Sequence, residues 1–453
     1  MKKSVLLSVF LACAACFGQE AVATNVTGEE AISGETAKSV NEDVKAYVVE
    51  KTSSMLLEDA FAAFAKERGI AAYGTKNEKG VMYITGQATV AVNVNSPNFV
   101  KGRTVAFEKA LRNATAKMVM DLTGQEMLDE ISKYFSDQSD DKLEPPKDFA
   151  ESKSKLINKI EGLSEAALDE GLRKLGKNPD DYEKKTEKKR KLFQDEIFTR
   201  SVRKAIGQGS GYLPVQTFET RSADGNYSVG VVLRYDHDTI EIAQSMYRKR
   251  LPLVRSTSGM SISDALPTNE EMINQFGVRL FFDEKGQPAL LSFGCWGSSY
   301  TGKDVRRQER AMEHAFKQAE SMANSQITRF INSSISMVEQ SERSENEFEG
   351  VSFDSMDNAT EENFVKYVDR LMSETNVKGS DSMIGRSTVK KVTLMHPAGH
   401  KIAYVVRLWS FDTLETNKSI LSGKKPVEQE QGQPAAPVKK EDSGIRKGRV
   451  YDF

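Results

Sequence analysis

Cysteine and histidine are scarce in this chain of 453 residues, and each scarcity limits what the protein can be. Only three cysteines are present, and Cys13 and Cys16 lie close to the N-terminus, which leaves Cys295 alone in the body of the chain. A framework of internal disulfides is therefore excluded. With only four histidines, metal binding and acid–base catalysis have few candidate side chains.

Long apolar runs and a strong net charge are also missing. No stretch beyond the N-terminus approaches the roughly 20 apolar residues that a transmembrane helix needs. The formal net charge is −2, which argues against a general binder of nucleic acid or anionic lipid. A chain of this length can bury two or three apolar cores without disulfides. We therefore expect a soluble or surface-attached protein.

The N-terminus has the composition of a secretory signal. Two lysines precede the apolar run 5–17, which predicts a signal peptide over residues 1–18. Cleavage after Gly18, cleavage after Ala23, and lipidation of Cys16 after cleavage behind Ala15 are the alternatives. All three predict an exported protein of the periplasm or the outer membrane, and the third adds a lipid anchor.

The strongest positive signal is an internal repeat. Residues 211–245 align without a gap with residues 385–419, and nine of the 35 pairs are identical, where average composition would give roughly two. The identical pairs are Gly211/Gly385, Val215/Val389, Gly225/Gly399, Val231/Val405, Val232/Val406, Asp238/Asp412, Thr239/Thr413, Glu241/Glu415 and Ser245/Ser419. We predict that one structural unit is present twice.

Extended segments upstream enlarge the repeat. In the first copy, residues 70–74 and 81–92 are separated by turn-forming residues and predict a hairpin. The counterpart in the second copy is formed by residues 277–282 and 289–296. This alignment pairs Gly86 with Gly294, because each lies at the same distance from the glycine that precedes its hairpin.

An alanine-striped helix follows in each copy. Alanine recurs every fourth residue, which predicts a narrow helix face that can lie close against a sheet. The stripes are Ala106, Ala110 and Ala114 in the first copy and Ala311, Ala315 and Ala319 in the second. We therefore align Ala110 with Ala315.

Two extended segments close each copy and lead into a helix that begins with an acid. The pattern Asp-Thr-x-Glu predicts Asp238 and Asp412 as N-caps, with Glu241 and Glu415 three residues later. This pattern has a purely structural cause. The structural residues predicted by the repeat are thus Asp238, Glu241, Asp412, Glu415, Gly86 and Gly294.

The predicted fold class is α+β, with two homologous modules. Each module is expected to be a small antiparallel sheet packed on an Ala-rich helix, and the first contains a polar, helix-forming insertion. The predicted divisions are 1–18 signal peptide, 19–56 polar stretch and helix, 57–246 module A with the insertion at about 124–205, 247–264 linker, 265–420 module B and 421–453 disordered tail.

Candidate metal ligands are few. His396 and His400 have the spacing of paired helical ligands, but the proline and glycine between them predict a turn. The triplet 236–238, Asp-His-Asp, resembles a ligand cluster, yet its counterpart 410–412 keeps only the last acid. The sequence therefore predicts neither a metal site nor a cofactor.

Three other motifs favour structural interpretations. The glycine-rich segment 207–211 precedes a strand and lacks the following Lys-Ser/Thr of a phosphate-binding loop. The basic run 184–191 is interrupted by acids, which is typical of a solvated helix face. Cys295 lies in an apolar strand, where a free cysteine usually packs as a small buried residue. We predict no catalytic residue.

The C-terminal residues differ in composition from the polar stretch before them. The end of the chain combines apolar anchors with positive charge, as segments that dock on partners do. The predicted partner-docking residues are Val450, Tyr451 and Phe453, and the expected partner is another envelope protein.

One family resemblance adds to these predictions. The segments Thr85-Gly86-Gln87-Ala88 and Phe293-Gly294, each followed by an alanine stripe, resemble the N-terminal domain of the flagellar assembly protein FlgT and small outer-membrane lipoproteins with that module. The resemblance covers about 100 residues in each copy and implies a non-catalytic envelope component.

Two functions follow as hypotheses. The first is a scaffold or adaptor in an envelope assembly. The alternative is a ligand- or glycan-binding protein, or a hydrolase, that uses the groove between the modules. A deep cleft lined by polar groups would favour the second hypothesis, and a filled junction would favour the first.

Overall fold

The protein is a mixed helical and sheet structure, which confirms the predicted α+β class with two modules. The computed structural model describes residues 51–135, 149–182, 186–208, 211–298, 300–332, 385–421 and 446–447. The predicted signal peptide and the docking residues Val450, Tyr451 and Phe453 lie outside these ranges.

Module A contains a three-stranded core and a set of inserted helices. Its elements are α1 (Ser53–Arg68), β1 (Met82–Thr89), α2 (Phe99–Phe135), α3 (Phe149–Glu161), α4 (Glu165–Lys174), a 3₁₀ turn (Pro179–Tyr182), α5 (Thr186–Gln208), β2 (Leu213–Arg221), β3 (Tyr227–Tyr235) and α6 (His237–Tyr247).

Module B repeats this order without the inserted helices in its described part. Its elements are α7 (Ile262–Ala265), α8 (Asn269–Ile273), β4 (Gly277–Phe282), β5 (Pro288–Gly297), α9 (Val305–Asn332), β6 (Arg386–Met395), β7 (Lys401–Trp409) and α10 (Phe411–Leu421). A short strand, β8 (Arg446–Lys447), follows near the C-terminus.

The two antiparallel sheets share their topology and their register. Sheet A has the order β1-β3-β2-β8, and sheet B has the order β4-β5-β7-β6, so β1-β3-β2 corresponds to β5-β7-β6. Gly86 lies opposite Val231, and Gly294 lies opposite Val405. The pairing shifts by one residue at Val215 in module A and at Val389 in module B. A β-bulge at the same place in both copies is strong support for a duplication.

The predicted helix alignment is wrong by one turn. A Cβ on Gly86 would lie 2.1 Å from the Ala110 carbonyl oxygen, and a Cβ on Gly294 would lie 1.8 Å from the Ala319 carbonyl oxygen. Ala110 therefore corresponds to Ala319 and not to Ala315. The second stripe continues to Ala323, so a shift of four residues preserves the alanine spacing, and the sequence pattern cannot distinguish the two registers.

The predicted hairpin in module A is also wrong in its first half. Residues 70–74 form no strand, and only Met82–Thr89 pairs with the sheet. Gly69, Gly74 and Gly80 all adopt positive φ (64°, 80° and 75°), a conformation that interrupts an extended segment. Strand β4 of module B therefore has no counterpart among the described residues of module A.

The helix caps lie two residues before the predicted acids. Asp236 caps α6: its Oδ1 accepts the Thr239 N–H (2.8 Å), and Thr239 Oγ1 accepts the Asp236 N–H (3.1 Å). Ser410 and Thr413 form the same reciprocal pair at α10. The sequence around each helix start allows two positions for the cap. With the cap at Asp236 or Ser410, a Thr is the third helical residue and completes the capping box, as the predicted Glu would have done.

The predicted cap residues have other contacts. Asp412 pairs with Lys285 on the surface (2.7 Å), Glu241 accepts the Leu253 N–H (2.8 Å), and Asp238 and Glu415 are exposed. None of these four residues caps a helix.

Ser410→Ala is expected to lower the free energy of unfolding by about 1 kcal/mol, because it removes the cap of α10. Asp412→Ala, two residues later, is expected to cost less, since it removes only an exposed ion pair. Urea denaturation of both variants measures the difference. Equal losses, or a larger loss for Asp412→Ala, would contradict this assignment of the cap.

Helices and sheets alternate along the molecule. Helix α1 covers one face of sheet A, where Phe61 packs against Gly230, and α2 covers the other face at Gly86. Another part of the α2 surface meets sheet B, where a Cβ on Gly297 would lie 2.7 Å from Val100 Cβ. Helix α9 covers the remaining face of sheet B at Gly294. Thus α2 lies between the two sheets and joins the modules.

The inserted helices extend this core. Helices α3 to α5 pack on the C-terminal half of α2 through buried apolar residues that belong to the same core cluster as the residues of the two sheets. Those on the inserted helices include Leu156, Ile160, Leu168, Leu172, Phe193, Ile197 and Phe198. Within the described residues, no helix is both long and apolar enough to span a membrane.

Candidate functional site at the junction of the two modules

The largest concentration of buried charge in the described residues lies where α2 meets sheet B. The first turns of α2 present Arg103, Thr104 and Phe107 toward module B. Thr104 Oγ1 donates to the Cys295 carbonyl (3.3 Å), and Phe107 stacks on Phe276 with 5.0 Å between ring centroids. These contacts bring side chains that are far apart in sequence into one site.

Arg103 and Glu219 form the central ion pair. Arg103 Nε lies 2.8 Å from Glu219 Oε1, and Arg103 Nη2 lies 2.6 Å from Glu219 Oε2. The side chains are 0% and 1% exposed. This two-bond geometry matches the planar guanidinium to the carboxylate. Both charges are therefore compensated inside the protein.

Module B supplies the rest of the Arg103 environment. Arg103 Nη2 also donates to the Ile273 carbonyl (3.0 Å), and its guanidinium carbon lies 5.2 Å from the centroid of the Phe276 ring. A planar cation over an aromatic face is a favourable contact when both are desolvated. Arg103 of module A is thus held by Glu219 on one side and by module B on the other.

His396 completes the cluster from module B. It lies in the turn between β6 and β7, is fully buried, and has its Nε2 3.3 Å from Glu219 Oε1. Its Nδ1 accepts the Ala398 N–H (3.0 Å), which places the ring proton on Nε2, facing the carboxylate. The His396 ring also packs edge-on against Phe99, at 5.3 Å between centroids.

His400 anchors the same turn to module A. Its Nε2 contacts the Val94 carbonyl, and its ring lies 5.3 Å from Phe99. The two histidines therefore lie in a turn, and they bind side chains and backbone of module A. Among the described residues, no group of three or more His, Cys, Asp or Glu side chains is placed to hold a metal ion.

A second buried arginine extends the polar contacts along β4. Arg279 Nη1 donates to the Phe276 carbonyl (2.8 Å) and the Val278 carbonyl (3.0 Å), and its Nη2 lies 3.3 Å from Thr217 Oγ1. Thr217 in turn donates to the Asn274 carbonyl. The edge of β2 is thus fixed against the segment that leads into β4.

The electrostatics of Glu219 follow from these partners. Burial alone raises the pKa of a carboxyl, but here the charge of Arg103, together with the adjacent His396 side chain, outweighs burial and holds the Glu219 pKa well below its usual range. Burial likewise lowers the pKa of Arg103, and Glu219 more than offsets this, so that the Arg103 pKa is raised. The pair is therefore charged throughout the physiological pH range.

Cys295 lies beside this cluster but is not activated by it. Its Sγ is 3.5 Å from Thr104 Oγ1. Burial raises the pKa of the Cys295 thiol, and the nearby Arg103 offsets only part of this effect. A nucleophilic cysteine needs a lowered pKa and access to a substrate. The residue is packed as a small buried side chain.

Side chains of both modules fill the junction and exclude solvent from its charged groups. Fully buried aromatic rings of Phe99, Phe107 and Phe276 surround the ion pair. Arg103, Glu219 and His396 lie in the interior, where they contact each other and side chains of both modules. The cluster can therefore fix the orientation of the modules.

Sequence reasoning did not identify Arg103, Glu219 or Arg279. The sequence holds no signal for them: the burial of β2 on both faces up to Thr220, which requires a partner for the Glu219 carboxylate, is visible only in the structure. The predicted structural residues are not brought together with this cluster. Gly86 and Gly294 lie against helices on different sheets, and His237 and His314 are exposed.

Acid is expected to remove the contribution of Glu219 to stability. Because its folded-state pKa is depressed, that contribution is complete above the pKa of an unfolded glutamate, about 4.3, and is lost as the pH falls toward the folded-state value. Urea midpoints of the natural protein and of Glu219→Gln, compared at pH 7 and pH 3.5, test this. The difference between the urea midpoints of the two proteins should be smaller at pH 3.5 than at pH 7. An equal difference at both pH values would contradict the expectation.

Comparisons with known proteins bear on the fold and not on the site. A domain of unknown function, DUF6844, matches residues 153–248, which span the inserted helices from α3 onward, the strand pair β2–β3 and α6. No curated protein matches the chain.

One solved structure is similar over most of the chain. It is the 2.3 Å crystal structure of hypothetical protein FTT1539c from Francisella tularensis, with a TM-score of 0.51 and 23% sequence identity. The match covers 80% of this chain and 92% of that chain. At this identity the similarity concerns the fold alone.

Proposed function

We propose that this protein is an exported, non-catalytic scaffold or adaptor of the bacterial cell envelope. The proposal is supported by the signal-like N-terminus, by the duplicated module and by the junction between the modules. In this view the protein presents two related surfaces to its partners in a fixed relative orientation. The resemblance to the FlgT N-terminal domain and to outer-membrane lipoproteins belongs to the same proposal.

The buried cluster of Arg103, Glu219 and His396 is the observation that carries the proposal. A scaffold needs fixed geometry between its binding surfaces, and a hinge between two modules would defeat it. A desolvated ion pair is costly to form and still costlier to break. Arg103 and Glu219 both belong to module A, and module B covers the pair with the Ile273 carbonyl, the Phe276 ring and His396. Sliding or opening of the modules would remove these contacts and expose the pair, so the junction favours one orientation.

The groove hypothesis requires the opposite arrangement. A ligand- or glycan-binding protein, or a hydrolase, would need an open cleft in which polar groups converge on a bound molecule. The polar groups at this junction converge on each other, and their side chains are fully buried. The filled junction therefore favours the scaffold.

Affinity purification from envelope fractions tests the proposal. The full-length protein, tagged in its native host and crosslinked before lysis, is expected to co-purify with a defined envelope protein in comparable amounts. The variant Asp238→Ala, which changes an exposed residue away from the junction, serves as the control for the purification procedure. Recovery of the protein in the cytoplasmic fraction, or hydrolysis of envelope glycan by the pure protein, would contradict the proposal.

Export has its own test. The protein purified from the envelope is expected to lack Met1 through at least Ala15, because signal peptidases cleave after the small residues that follow the apolar run. Intact-mass measurement distinguishes an unmodified N-terminus after Gly18 or Ala23 from an acylated Cys16. Retention of Met1 in envelope material would overturn the export proposal.

A further inference from the structure

The outer edge of β2 accepts a strand from a distant part of the chain. In β8, Lys447 lies opposite Phe218 and Arg446 lies opposite Glu219, in antiparallel register. Among the described residues, only these two of the nine residues of β2 (Leu213–Arg221) have this partner. Two paired residues supply little free energy.

The other half of the same edge is closed to a strand. Pro214 has no N–H to donate, and a Cβ on Gly277 would lie 3.3 Å from Pro214. Thr217 donates its hydroxyl to the Asn274 carbonyl, at the start of module B. An added strand can consequently pair with β2 only toward its C-terminal end, where β8 lies.

Among the described strands, β8 pairs only with β2. Helix α10 ends at Leu421, and residues 422–445, rich in Lys, Glu, Gln and Pro, separate it from β8. For a strand joined to the rest of the chain by a segment of this length, the effective concentration at its docking edge is on the order of 1 mM. This favours pairing within one chain but allows the strand to be replaced.

The docking position is rigid because its two residues are anchored on opposite faces of sheet A. Phe218 packs edge-on against Phe61 (5.7 Å) and Phe64 (6.1 Å) of α1. Glu219 binds Arg103 at the junction. The β2 backbone is therefore already ordered, and the binding of a strand costs little additional conformational entropy in β2.

We propose that the edge of β2 at Phe218–Glu219 is a peptide-docking site, and that the chain's own C-terminal segment is its detachable occupant. Adding an extended segment to a sheet edge is a general mode of peptide recognition. The resident strand then competes with any extended segment of a partner for the same edge. Only this last step rests on the proposed adaptor function, and the docking itself is independent of it.

The equivalent edge in module B provides an internal comparison. The repeat aligns Phe218 and Glu219 with Val392 and Thr393 of β6, and no strand among the described residues lies on that edge. Lysines are a common means of keeping strands off an edge, and Lys390 and Lys391 lie immediately before these positions. We assign the docking site to β2 and not to β6.

A peptide-binding experiment tests this assignment. A chain ending at Pro437 is titrated into a fluorescently labelled peptide of residues 438–453, and binding is followed by anisotropy. The truncated chain is expected to bind the peptide. If the dissociation constant of the peptide for the truncated chain is on the order of 100 µM, competition from β8 should weaken binding of the peptide to the full-length protein by about tenfold.

Matched peptides identify the strand. A peptide with both Arg446→Pro and Lys447→Pro loses the N–H groups of β8 and is expected not to bind, whereas Lys440→Pro lies outside the strand and is expected to bind normally. In hydrogen exchange, the Phe218 and Glu219 amide region should lose protection on truncation and regain it with the peptide. Val392 and Thr393 should be unaffected in both states.

Several results would overturn the assignment. They are equal peptide affinity for the truncated and full-length chains, unchanged exchange at Phe218 and Glu219 after truncation, and protection at Val392 and Thr393 instead. A full-length dimer that is lost on truncation would show that the strand comes from a second copy and would also overturn it. If the peptide docks as expected but releases no partner from envelope complexes, the adaptor function fails and the docking site stands.

Discussion

Glu219→Ala is expected to lower the free energy of unfolding by about 3–5 kcal/mol. The substitution leaves the Arg103 guanidinium charged and buried, and the loss of one member of a desolvated pair is far costlier than the loss of a surface pair. It also removes the carboxylate that faces His396. Urea denaturation of the full-length variant at pH 7 measures the effect.

Two controls separate the ion pair from general packing. Asp59→Ala removes the partner of Lys51 in a pair that is about half exposed (2.6 Å) and is expected to cost less than about 1 kcal/mol. The double variant Arg103→Met/Glu219→Leu removes both charges together and is expected to be more stable than Glu219→Ala. A loss below about 1 kcal/mol for Glu219→Ala would contradict the assigned role.

Gly294→Ala is expected to lower the free energy of unfolding by about 3 kcal/mol. The added methyl would lie 1.8 Å from the Ala319 carbonyl oxygen and 2.9 Å from the Ala323 backbone nitrogen. The obstacle is the backbone of α9, which cannot rotate aside as a side chain can, and overpacking of this kind costs about 1–3 kcal/mol, occasionally more. The helix must move off sheet B to admit it.

Gly86→Ala should have a comparable effect, because the repeat places its Cβ 2.1 Å from the Ala110 carbonyl oxygen. Gly162→Ala is the matched control, since its Cβ would meet no atom closer than 3.6 Å. Thermal or urea unfolding of the three variants compares them directly. Similar stability of Gly294→Ala and Gly162→Ala would show that α9 does not lie against β5 as described.

The parts of the fold that the sequence predicts are those with local causes. Strands β3 and β7 are rich in apolar and β-branched residues, β2 and β6 mix such residues with polar ones, and each pair is joined by a glycine-containing turn. The repeat links the four strands in pairs. Such patterns depend on residues that are neighbours in the chain. The closing strand pair of each module could therefore be predicted from the sequence.

The errors arise where a pattern fits two arrangements equally well. The alanine stripe fits α9 in either of two registers one turn apart, and the backbone contact at Gly294 selects one. Judged by sequence, Asp238 and Asp412 of the repeated Asp-Thr pattern suit the N-cap position as well as Asp236 and Ser410 do. In both cases the tertiary contact decides, and the spacing of residues does not contain it.

The junction could not be predicted because its members come from distant parts of the chain. Arg103 and Glu219 are 116 residues apart, and His396 belongs to the other module. Each is unremarkable in its own segment, where a lone charge or histidine usually faces solvent. Only the packing of α2 between the two sheets brings them together.

Scanning calorimetry of the full-length protein tests most directly whether the junction makes one body of the two modules. Because a single core cluster includes residues of both modules, such as Phe107 and Phe293, the described body is expected to unfold in one cooperative transition. Glu219→Ala is expected to shift that whole transition to lower temperature. Two separate transitions in the natural protein, with only one of them moved by Glu219→Ala, would contradict the account.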